Sequence, residues 1–334
     1  MTFDERVMAV KPMGFTERQA RFLVTVMLHS GVCMTRHYCA FAGLVHGQKT
    51  RDFFNVLLAR KLATAYPCAQ RRTRIFHVQN RALYRAIGEP DNRFRKPTPL
   101  GQAVERLMLL DAILDSRRIS WIATERDKVA HFTLLLGTTL RRNEMPHLTF
   151  GDGGRTTVRY FPDKLPVGVA DDGRTHVFAY LVTRAAPVDF RAFLHRHAEL
   201  LRALPSWTVR LLIPAHFSES TDSYVAAWRQ ELATPLRPSI ADELRWFFEQ
   251  QKTLRDGDSA AGEEETARLV QARAAFASPR FSVLYRSWLR DGRSAIDATV
   301  SPVLADAIKR GSGRVECQVL PRRYLHLSPL VGTA

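Results

Sequence analysis

The residues that could do chemistry fall in two places. Phe161-Pro162-Asp163 supplies the first half of a pattern in which a Pro-Asp on one strand and an acidic-x-Lys on the next hold a divalent metal for phosphodiester cleavage. The second half is missing: the following strand reads His176-Val177-Phe178-Ala179-Tyr180-Leu181-Val182-Thr183-Arg184, without a carboxylate or a lysine. A divalent metal takes several oxygen ligands, which one aspartate cannot supply. Asp171 and Asp172 sit in an Asp-Asp-Gly sequence and read as turn formers. Glu199, on the next helix, is the carboxylate left to a nuclease reading. His195 and His197 lie two apart on that helix, point in different directions, and are expected as surface or interface histidines. No G-x-x-x-x-G-K-[ST], G-x-G-x-x-G after a strand or G-x-S-x-G occurs, and Gly151-Asp152-Gly153-Gly154 reads as a turn. No cofactor or metal is implied, and catalysis is not expected.

The second place is electrostatic. Residues 1–96 hold 17 Lys and Arg against 6 Asp and Glu, a net of +11 out of +16 for the whole chain. Gln48, Lys49, Arg51, Asp52 and Asn55 lie at helical spacing; Arg71, Arg72 and Arg74 cluster between two β-like runs; Arg93, Arg95 and Lys96 follow in a stretch expected to lack regular structure. Such sets grip phosphates and read base edges. Three arginines at one hairpin tip repel one another without an anionic partner. The alternative is a module that binds protein, its charges a solvated face. The stretch 92–97 fits a backbone contact and a solvated linker equally.

The elements that must position these residues follow from capping and periodicity. Thr16 with Gln19 forms a capping box ahead of a helix carrying Phe22, Leu23, Val26 and Met27. Ser30-Gly31 ends it, Val32 to Met34 is extended, and Thr35 is expected to cap a second helix to about Ala42. A third helix, 48–62, buries Phe53, Phe54, Leu57 and Leu58 and turns its polar face outward. The runs 63–68 and 74–78 enclose the arginine tip. Helix, helix, basic-faced helix and basic hairpin is the order of a winged helix-turn-helix, with the third helix in the major groove. A helical bridge is expected over 99–150. Beyond it come strands at 156–161, 165–169 and 176–183, a helix at 189–203, a strand at 207–213, further helices, and a last hairpin of 315–320 with 324–327.

A chain of 334 residues with 46% hydrophobic composition suits two cores. No stretch approaches the roughly 18 to 20 apolar residues of a membrane span, and the acidic start MTFDERVMAV is unlike a signal peptide. A cytoplasmic protein is expected. Cys33, Cys39, Cys68 and Cys317 lack metal-ligand spacing and read as buried thiols.

The strand and helix order of 156–213, together with Phe161-Pro162-Asp163, resembles the core of restriction-endonuclease-like folds. With Gly14-Phe15-Thr16, the 49–62 helix, the arginines at 71–74 and Tyr84-Arg85-Ala86-Ile87-Gly88, the chain also resembles the plasmid replication-relaxation family, winged-helix proteins of mobile elements. That resemblance implies DNA binding in plasmid replication or transfer. It also implies two carboxylates on the strand after Pro-Asp, where this chain has Tyr180 and Val182. The expected fold is α/β (α+β overall): a winged helix-turn-helix over 1–98, the bridge, and a degenerate restriction-endonuclease-like domain with helical additions over 151–334. The expected function is sequence-specific binding of double-stranded DNA, as a transcription regulator or a replication or transfer accessory factor. Other expected partners are a second copy and a replication, transfer or defence-system protein, with no membrane. The alternatives are a metal-dependent nuclease using Asp163 and a protein- or RNA-interaction module.

Overall fold

The structure is a computed structural model that describes residues 1–68, 74–151, 156–257, 263–322, 324 and 327. The arginine tip at 71–72 and part of the glycine turn at 152–154 lie outside these residues.

α1 (Phe3–Val10) and α2 (Glu17–His29) both begin at capping boxes, on Thr2 and on Thr16 as the spacing predicts. Gly31, at φ +72°, turns the chain into β1 (Val32–Cys33). α3 (Thr35–Ala42) is capped differently from expectation: Thr35 is its first helical residue, and the N–H of Met34 donates to His37 Nδ1 at 2.9 Å. α4 (Gln48–Ala59), β2 (Ala63–Pro67), β3 (Arg74–Val78) and α5 (Arg81–Ala86) complete this half. Its strands lie antiparallel in the order β1-β3-β2, with Cys33 opposite Phe76 and Ala63 opposite Val78.

The second half runs through α6 (Leu100–Asp115), β4 (Ile119–Ile122), α7 (Glu125–Leu136), β5 (His147–Phe150), β6 (Thr157–Tyr160), β7 (Val167–Ala170), β8 (Thr175–Leu181), α8 (Val188–Ala203) and β9 (Ser206–Pro214). It continues with α9 (Thr221–Trp228), α10 (Pro238–Asp256), α11 (Glu263–Ala275), α12 (Pro279–Asp291), α13 (Ser294–Val300), α14 (Val303–Lys309) and β10 (Gly313–Leu320). The main sheet has the order β10-β9-β8-β7-β4. β8, β9 and β10 run parallel, and β7 and β4 pair antiparallel. β6 leaves the expected three-strand run and pairs with β5 in a separate hairpin; β4, from within the stretch read as a helical bridge, takes the third place. β10 lies parallel to β9 instead of in a terminal hairpin, and Leu327 closes a turn on Tyr324.

α6 is shared by both halves. It packs in one cluster with Val32, Met34 and Ile75 from the first half and with Ala179, Leu181, Leu212 and Leu320 from one face of the main sheet. The other face carries Phe178, Tyr180, Trp207, Val209 and Leu211, which pack with Phe190, Phe193 and Leu194 of α8. α10 to α13 enclose their own core around Phe247, Phe248, Leu284 and Trp288. The fold is mixed α/β with mixed sheets. Among the described residues no helix is long and apolar enough to cross a membrane.

Candidate nucleic-acid interface

α4 is held by aromatic packing. Phe53 lies 4.5 Å from the Tyr38 ring and 5.1 Å from Phe54, and Phe54 lies 4.3 Å from Phe76. Thr50, Phe53, Phe54 and Leu57 are buried, which leaves Gln48, Lys49, Arg51, Asp52 and Asn55 exposed along the opposite face. Gln48 donates to Asp52 Oδ1 at 2.6 Å, so these two side chains occupy each other in the free protein. Lys49, Arg51 and Asn55 have no hydrogen-bond or ion-pair partner among the described residues.

The carboxylates of this half are mostly committed elsewhere. Asp4 and Glu17 pair with Arg21, Glu17 also with Lys11, and Glu89 lies 3.8 Å from Arg6 and 3.4 Å from Arg126. Arg74, at the base of the hairpin, is exposed, and Arg71 and Arg72 lie outside the described residues. The basic segment divides. Arg93 stacks on Phe94 and donates to the Lys164 carbonyl at 3.2 Å, and Arg95 donates to the Pro90 carbonyl at 3.1 Å. Lys96 is exposed. The segment is also more regular than expected, with a 3₁₀ turn over Arg93–Arg95 capped by Asn92.

At the Pro-Asp locus Asp163 is already paired with an arginine. Arg196 of α8 clamps Asp163 with two hydrogen bonds, at 2.6 and 3.2 Å. Lys128 lies nearby, buried, its ammonium donating to the Leu165 carbonyl at 2.7 Å. Burial, and then the neighbouring Arg93, push Lys128 down to about 7. Arg196 and the Lys128 amine thus stand where a metal would need anionic oxygens. Asp163 and Glu199 line different cavities, and Glu199 pairs with Arg202. No group of three or more His, Cys, Asp or Glu suited to a metal ion occurs among the described residues. Asp172 behaves as a turn former, accepting from the N–H groups of Arg174 and Thr175 and from the Thr175 hydroxyl; these bonds hold it at about 2.

The histidines differ from expectation, and the cysteines do so in part. His197 is buried with Nδ1 bonded to the Phe193 carbonyl, and His195 lies 3.1 Å from the buried Glu231. The expectation failed because α8 is covered on two sides, by the sheet and by α12. Cys33 and Cys68 are buried, Cys39 is half-buried and Cys317 is exposed on an edge strand.

A constellation that the sequence reading passed over lies on α6. Asp111 accepts from Arg36 at 2.6 and 2.7 Å, from Arg322 at 2.7 Å and from the Tyr324 hydroxyl at 2.7 Å, with His37 Nε2 at 3.1 Å. It ties α3 to the chain beyond β10. Its signal was a lone acid inside Leu107-Met108-Leu109-Leu110-Asp111-Ala112-Ile113. Compared with protein-family models, curated proteins and solved structures, the chain matches none of them.

Proposed function

We propose that residues 1–98 are a winged helix-turn-helix that binds duplex DNA, with α4 in the major groove and the β2–β3 hairpin as the wing. One observation carries the reading: α4 presents Lys49 and Arg51 without carboxylate partners, on a face rigidly backed by Phe53 and Phe54. Unpaired cations on a rigid helix face suit phosphate and base-edge recognition. Asn55 adds a side chain able to pair with adenine, and the strand order β1-β3-β2 supports the module. Arg74 and Lys96 serve as backbone contacts, whereas Arg93 holds the junction to the second half at Lys164 and Arg95 holds the local turn at Pro90. Antiparallel β4, β7 and β8 followed by α8 and parallel β9 support reading the second half as a degenerate endonuclease-like scaffold. The protein then acts as a sequence-specific regulator or accessory factor of a mobile element, similar to plasmid replication-relaxation proteins.

The test is a titration of the protein with its own upstream intergenic duplex and a scrambled duplex of equal length, at two salt concentrations, with and without magnesium. The native duplex should bind more tightly and stay intact. Lys49→Ala with Arg51→Ala should weaken binding to both duplexes and reduce the salt slope by about 2. Equal affinity for both duplexes would refute sequence-specific recognition, and cleavage abolished by Asp163→Ala would favour a nuclease.

A further inference from the structure

β10 is an edge of the main sheet, with no strand paired to its outer side among the described residues. The N–H of Trp207 donates to the Ser312 carbonyl at 2.8 Å, and Gly313 stands opposite Trp207 in the parallel register. In a parallel pair that fixes the alternation: the even-numbered residues of β10 bond β9, and Gly313, Val315, Cys317 and Val319 turn their N–H and C=O groups outward. These outward groups have no backbone partner among the described residues. The strand has no proline, no lysine and no bulge to blunt the edge, and its two charges, on Arg314 and Glu316, are of opposite sign. Cys317 and Val319 are exposed on it.

We propose that two copies of this chain pair antiparallel through β10, about a two-fold axis at Val315. Outward groups meet outward groups only when odd residues face odd residues, which leaves axes on whole residues. An axis on Glu316 would set Glu316 against its own copy. The axis on Val315 instead sets Arg314 opposite the partner copy's Glu316, twice by symmetry, at the closely spaced positions of an antiparallel ladder. Arg314 is exposed and has no partner among the described residues, so it is free for this contact. Glu316 already accepts from Arg210 at 3.0 and 3.1 Å, which holds its carboxylate in place on the sheet. The pairing makes one continuous sheet across the axis and is independent of the DNA reading; if both hold, the DNA target is an inverted repeat.

Sedimentation velocity without DNA, in reducing buffer over a broad concentration series, tests it. The wild-type chain should be a dimer. Arg314→Glu should raise the dimer dissociation constant by at least about tenfold, because opposite charges become like charges at two places. Val315→Pro removes an N–H that faces outward, so it should give a monomer with unchanged circular dichroism. Val315→Cys in a Cys317→Ser background should oxidise to a disulfide-linked dimer. A wild-type monomer throughout, Arg314→Glu and Val315→Pro variants that dimerise normally, or disulfide cross-linking of the wild-type chain through its own Cys317 would overturn the proposal.

Discussion

At the residue scale, Asp111 shows how much one buried carboxylate can organise. Burial alone would raise its pKa, but His37 at 3.1 Å and the two hydrogen bonds from Arg36 outweigh it and hold the group well below the usual carboxylate range. His37 contributes as a neutral ring: Nδ1 accepts the Met34 N–H, so the proton is on Nε2, facing Asp111. Asp111→Asn would leave Arg36 and Arg322 sharing a neutral acceptor. Both arginines keep about a third of their side-chain surface exposed, so the expected loss is about 3 kcal/mol, the low end for breaking a buried pair. A urea titration should show the midpoint fall with an unchanged slope. The pH dependence has a definite sign. With the folded pKa depressed, the wild-type contribution is complete above the unfolded value near 4 and is lost as pH falls below it. Asp111→Asn should remove that part of the acid dependence.

At the scale of elements, the sequence was most legible where local chemistry decides. The Thr16-Gln19 box, the apolar stripe of α2 and the polar face of α4 were readable because caps and 3.6-residue periodicity act within one element. β4 was not, because Ile119-Ser120-Trp121-Ile122 is short and acquires meaning only beside β7. The fate of β6 and the parallel placement of β10 are likewise set by distant partners, as are the burial of His197 and the inward turn of Arg93. Gly31 and Gly43 show the same division. Both have positive φ, +72° and +64°, but a Cβ on Gly31 would lie 2.5 Å from the Phe94 carbonyl oxygen, whereas Gly43 has open space. Gly43→Ala should therefore cost only the left-handed penalty of about 1 kcal/mol. Gly31→Ala should lower the melting temperature clearly further, because the 3₁₀ turn that carries Arg93 must move. Equal melting temperatures for the two variants would show that the turn yields freely.

At the scale of the whole molecule, buried histidines couple folding to pH. Burial holds both His176 and His197 at about 4, against 6.5 for the free side chain. His176 also lies 2.9 Å from His131, whose pKa burial lowers too. Below pH 6.5 the unfolded chain takes up protons that the folded chain refuses. Stability should therefore be full above that pH and decline towards pH 4, a trend that melting temperatures across this range will reveal. His197→Phe, filling the same aromatic surroundings of Phe161, Phe178 and Phe193, should flatten the decline.

The sharing of α6 decides how the two halves unfold. Val32, Met34 and Ile75 complete their burial only in the cluster built on α6, and Arg36 and His37 find their counter-charge there. A chain ending at residue 98 would expose that apolar surface and lose Asp111, so it should bind hydrophobic dyes and melt without a sharp transition. In the intact chain the same contacts should make unfolding a single event. All five tryptophans lie in the second half, which makes fluorescence a probe of that half alone. Loss of hydrogen-exchange protection in α2 and α4 reports the first half. Coincident midpoints for the two probes in urea are expected, because neither half can shed α6 without uncovering its own core; separated midpoints would show that the first half keeps its fold after the main sheet has gone.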